Sequence, residues 1–63
     1  MDDRESLFLN KLCKIELKRN NFVLTGYVRE IDNFGILFQT TQKTAYIGWD
    51  QILELVPLKE QQP

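Results

Sequence analysis

Sixty-three residues can form only one small domain, and a chain of that length buries a modest share of its surface, so its stability needs outside help. A single Cys13 excludes an intrachain disulfide and the lack of any histidine argues against a zinc site, which leaves a partner chain as the expected support. Eight Lys+Arg against nine Asp+Glu give a formal charge of −1, so any attraction for nucleic acid must come from local clustering.

The N-terminal stretch offers Asp2, Asp3 and Ser6 as capping groups, and Leu7, Leu9 (or Phe8) and Leu12 recur at roughly helical spacing. Together they predict a short helix over about residues 4–12. From Cys13 the period changes to two: Ile15 and Leu17 alternate with Lys14, Glu16 and Lys18, the pattern of a half-buried strand. Asn20-Asn21 suits a two-residue hairpin turn, because asparagine tolerates positive φ. A second strand follows from Phe22 to about Ile31, with Gly26 inside it, where a missing side chain points to a bend or a close backbone approach.

A turn centred on Asp32-Asn33 leads to a third, almost wholly apolar strand, Phe34 to Phe38. After the turn at Gln39 to Gln42, residues 43–47 alternate again as a fourth strand. Gly48-Trp49-Asp50-Gln51 interrupts, and residues 52–56 make a fifth strand before Pro57. The polar tail, 58–63, is expected to fray. The expectation is one domain over 1–63 with a barrel over about 13–57, mainly β: a short N-terminal helix followed by a strongly bent five-stranded antiparallel sheet. At this level SH3-like, OB and Sm-like barrels all remain open, with the helix placed before the strands favouring the last.

The stretch "KIELKRNNFVLTGYVREIDNFGILF" resembles the first motif of the Sm-like proteins, an amphipathic hairpin leading to a bend glycine and, six residues on, an aspartate before an apolar strand; here these are Gly26 and Asp32. "AYIGWDQILELVP" resembles the second motif. Within the superfamily the bacterial Hfq branch is the closer likeness, through "DNF" at 32–34 and "FLNKL" at 8–12. The resemblance spans about residues 8–57. It implies an SH3-type Sm barrel assembled into a closed ring, hexameric in preference to heptameric, that binds single-stranded, often uridine-rich RNA and promotes annealing between RNAs.

By that likeness Asp32 braces a pore-side turn, Asn33 hydrogen-bonds a base and Phe34 stacks on one; Phe34 as a core residue is the competing reading. Trp49 is either a further stacking surface or a barrel plug or subunit contact. Hfq-like rings carry arginines on a lateral rim, and Arg4, Lys11 and Lys14 are the nearest equivalents. The basic pore element of the family is missing, with Gly48-Trp49-Asp50 in its place. Leu17 stands where an aromatic is usual on the face presenting Val23, Leu24 and Thr25, which weakens the case for adenine-rich RNA. Arg29 is expected to hold a phosphate or to pair with Glu30 or Asp32.

The ring has an independent physical warrant, because short fourth and fifth strands leave unpaired backbone at two sheet edges. Tyr46, Ile47, Ile52, Leu53 and Leu55 are the expected subunit contacts. Catalysis is not expected, since the chain has no histidine base, no nucleophile with a plausible partner and no glycine-rich phosphate loop. No cofactor or metal is implied. The absence of an apolar run near 18 residues argues against a membrane partner, and a cytoplasmic location is expected. The alternative to an RNA platform is a scaffold or protein-interaction ring that has lost its RNA contacts.

Overall fold

The computed structural model describes residues 3–58. One short helix, α1 (Asp3–Phe8), precedes β1 (Leu12–Leu17), β2 (Val23–Ile31), β3 (Gly35–Gln39), β4 (Thr44–Gly48) and β5 (Ile52–Pro57), with a single 3-10 turn at Trp49–Gln51 before β5. All strand pairs are antiparallel, and the sheet order is β4-β3-β2-β1-β5. The expected mainly β architecture of five antiparallel strands behind a short helix is therefore present. Barrel closure is not: β4 and β5 lie at opposite margins of the sheet and do not pair with each other.

The helix ends four residues earlier than its apolar spacing suggests. Asn10 adopts a left-handed conformation (φ 59°), which an α-helix cannot contain, and Lys11 N–H closes back on the Phe8 carbonyl at 3.1 Å. Leu9 then bridges to Val28 instead of continuing the helix. The first hairpin also differs from a two-residue turn. Leu17 N–H donates to the Phe22 carbonyl at 2.8 Å, so residues 18–21 form the loop, with Asn20 and Asn21 both at positive φ (62° and 52°). Asparagine is used where expected, at the end of a longer connection. The tail beyond Leu58 lies outside the described residues.

Alternation sorts the side chains into two faces. Cys13, Ile15, Val28, Ile36, Phe38 and Ile47 are buried and form the core, with Phe8, Leu17, Leu24, Trp49, Ile52 and Leu55 among the half-buried residues packed on it. Gly26 is buried opposite Cys13, and a Cβ there would run into the Gln39 carbonyl oxygen. A close approach of β2 to the end of β3 is what requires this glycine.

Two bulges break the ladders. Between β2 and β3, Val28 pairs with Phe38 and Glu30 with Leu37, so Arg29 is an extra residue. Between β1 and β5, Glu16 pairs with Glu54 and Leu17 with Ile52, so Leu53 is extra, and it is exposed. Among the described residues no helix is long and apolar enough to cross a membrane.

Candidate functional site

The turn between β2 and β3 is built around one carboxylate. Asp32 Oδ1 accepts hydrogen bonds from Phe34 N–H at 2.8 Å, from Gly35 N–H at 2.9 Å and from the Tyr46 hydroxyl at 2.7 Å. Asp32 N–H donates to the Gly35 carbonyl at 3.0 Å, which closes the turn. An aspartate does this readily, because its short side chain reaches the backbone N–H groups two and three residues ahead. Tyr46 arrives from β4, where its register opposite Leu37 brings the hydroxyl to the turn.

Trp49 locks the other side. Its backbone N–H donates to the Phe34 carbonyl at 2.8 Å and its indole N–H to the Asp32 carbonyl at 3.0 Å, while the ring packs against the core half-buried. In this position it braces the turn. Gly35, buried beside Ile47 and Gly48, allows β3 to begin immediately after the turn, since a Cβ there would collide with the Ile47 backbone.

The consequence of this bracing is the presentation of Phe34. Its ring is 78% exposed, the most exposed large apolar side chain described, and Asn33 beside it is exposed as well. A core role for Phe34 does not hold within the chain. Asp32, Asn33, Phe34 and Trp49 are thus brought together, with the first and last holding the backbone and the middle two turned to solvent.

The hydrogen bonds shift both acid groups of the pair. The Tyr46 hydroxyl, followed by the Phe34 and Gly35 N–H groups, holds the Asp32 carboxyl below its ordinary value. The carboxylate in turn raises the Tyr46 hydroxyl above its own. Cys13 is buried, and burial pushes its thiol up, so it is a poor nucleophile.

The other expected site residues are dispersed. Lys11 spends its ammonium on the Ser6 carbonyl at 3.0 Å, and Lys14 is half-buried in the middle of β1. The Arg4 side chain lies outside the described residues. Of the expected subunit contacts, Tyr46 and Leu53 are exposed on the two marginal strands. Ile47 is in the core, and Ile52 and Leu55 pack against it. Ile47 was placed among the contacts by its position in β4, but it falls on the strand's inward phase.

Arg29 pairs with neither Glu30 nor Asp32. Its Nε–H donates to Gln39 Oε1 at 2.7 Å and its Nη1–H to Asn10 Oδ1 at 3.0 Å, with the guanidinium carbon 4.9 Å from the centre of the Tyr27 ring. These partners are 10 and 19 residues away, which sequence spacing cannot reveal. Tyr46 as the partner of Asp32 was likewise missed. Its one legible sign was a tyrosine in a strand otherwise made of small and aliphatic residues. Among the described residues no group of three or more acidic or thiol side chains is placed to hold a metal. Comparison with protein-family models, with curated proteins and with solved structures found no match to this chain.

Proposed function

We propose that this protein is an Sm-like, Hfq-like RNA-binding ring, in which each chain offers the turn Asp32-Asn33-Phe34 to a base of single-stranded RNA. The observation that carries the reading is Phe34, an aromatic side chain left exposed on a turn whose backbone is hydrogen-bonded to Asp32 and Trp49. A backbone ordered in advance has less freedom to lose on binding, and a base stacked on the ring contributes about 1–3 kcal/mol. Asn33 supplies donors and an acceptor for the edge of a base, uracil included.

Assembly is supported by the margins of the sheet. β4 and β5 both end the ladder, and antiparallel pairing of β4 in one chain with β5 in the next satisfies both rows of backbone groups and covers Tyr46 and Leu53. Repetition of a weak contact around a ring raises the effective concentration of bound strands, and two RNAs held this way anneal faster without covalent chemistry. Exposed Asp50, next to Trp49, and the net charge of −1 favour the second reading, a ring that binds protein instead of RNA.

Native mass spectrometry together with anisotropy of labelled U-rich and A-rich oligonucleotides tests both. An RNA platform forms a multiple of the 7.5 kDa chain and binds one oligonucleotide at micromolar concentration or below, more weakly as salt rises. A ring that binds neither oligonucleotide overturns the RNA reading, and a folded monomer at all concentrations overturns the ring.

A further inference from the structure

We infer that the cleft around Arg29 is a binding site for the phosphate group of a nucleotide, formed within one chain and sharing no residue with the Asp32 turn. The cleft has a volume of about 500 Å³, in the range of small-molecule sites, and Leu12, Tyr27, Arg29, Gln39, Thr40 and Thr41 line it. The register explains this grouping, since Leu12 pairs with Tyr27 and Tyr27 with Gln39, placing three side chains side by side on the face away from the core.

Arg29 stands two residues after Tyr27 on the same outward face, and as the extra residue of the β2 bulge it is the one at which the ladder with β3 is interrupted. Its orientation is then set from three directions: by Gln39, by left-handed Asn10 and by the Tyr27 ring. Both hydrogen-bond acceptors are neutral amide oxygens, and among the described residues no carboxylate pairs with the guanidinium. The positive charge is therefore held in place and not cancelled. Of the five N–H donors of an arginine, two are used, and the remaining hydrogens on Nη1 and Nη2 form the fork that grips two oxygens of one phosphate.

The Thr40 hydroxyl is committed to its own turn, donating to the Lys43 carbonyl and accepting from Gln42 and Lys43 N–H. Thr41, whose hydroxyl makes no hydrogen bond among the described residues, also lines the cleft and offers a second donor. Leu12 and the Tyr27 ring give the space beside the phosphate an apolar side suited to a base and sugar. The shared chemistry admits a free mononucleotide or one nucleotide of an RNA strand.

The test is titration of 15N-labelled protein with inorganic phosphate, UMP, AMP and a U-rich oligonucleotide, following the Arg29 Nε–H and Thr41 amide signals. Both signals are expected to move with UMP or AMP, and less with phosphate alone. R29Q is expected to weaken binding about tenfold or more, since it removes a charge-assisted fork. T41V leaves the bulge untouched and is expected to weaken it by a smaller factor. Saturation by a mononucleotide identifies free nucleotide as the ligand, and a response to the oligonucleotide alone identifies RNA. No movement of either signal with any of the four probes overturns the inference, as does equal affinity in wild type and R29Q with the core methyl signals of Val28 and Ile36 unchanged.

Discussion

Two phenylalanines four residues apart give the most direct test of the proposed RNA contact, because the structure assigns them opposite consequences. Phe34 is 78% exposed and Phe38 is 1% exposed. A phenylalanine carries roughly 200 Å² of surface, so about a fifth of it, roughly 40 Å², is covered at Phe34. At about 25 cal/mol per Å² this is about 1 kcal/mol, and Phe34→Ala is expected to lower the melting temperature by no more than about 4–8 °C. The same substitution removes a stacking surface worth about 1–3 kcal/mol, a loss of roughly 5- to 150-fold in affinity for a single-stranded oligonucleotide. Phe38→Ala leaves a void in a core with six buried side chains among the described residues and is expected to cost about 3–5 kcal/mol, a large part of the total for a domain this size. Thermal melts by circular dichroism and oligonucleotide anisotropy at fixed salt read the two effects separately. Unchanged affinity in Phe34→Ala refutes the stacking role, and a melting shift as large as that of Phe38→Ala refutes the exposed placement.

The Asp32–Tyr46 bond needs an ionised carboxyl and a protonated hydroxyl. Its contribution to stability is present near neutrality, is lost as pH falls through the lowered Asp32 value below 3.8, and is lost as pH rises through the raised Tyr46 value above 10.0. Tyr46→Phe should move the Asp32 carboxyl titration upward in a carbon-detected NMR experiment; an unmoved titration removes Tyr46 as its main cause. Gly26→Ala forces a methyl group into the Gln39 carbonyl and is expected to cost about 1–3 kcal/mol by urea denaturation. Leu53→Asp changes an exposed, bulged residue at the β5 margin, so sedimentation should show weaker association while the fold of the chain persists. Asn21→Ala places an ordinary side chain at φ 52° and is expected to cost about 1 kcal/mol in the same denaturation assay.

The strands were legible because their signal is local. Ile15 and Leu17 against Lys14 and Glu16 declare period two on their own, and Gly48 to Gln51 interrupts wherever the rest of the chain lies. The helix boundary was misjudged because Leu9 and Leu12 continue a helical spacing through Asn10, and a single left-handed residue leaves no trace in hydrophobic periodicity. The first hairpin loop was undercounted because Lys18 continues the alternation of β1 although the ladder has ended.

Within the candidate site, Asp32 and the aromatic after it were readable as a turn, since both partners of the carboxylate along the chain lie within three residues. Tyr46, 14 residues on, was not, because its hydroxyl meets Asp32 only after two further strands have folded back. Arg29 shows the same limit more strongly. A bulge exists only as a mismatch between two strands, so neither strand alone records it.

The carboxylate of Asp32 belongs to two parts of the molecule at once. Through its backbone bonds it shapes the tip that displays Phe34, and through Tyr46 it is fastened to an outermost strand with a free flank. The posture of the tip and the position of that flank are therefore not independent quantities. A base stacked on the tip and a second chain paired to the flank would meet surfaces held by the same carboxylate, and any change that one made in the affinity of the other would be returned by the same factor.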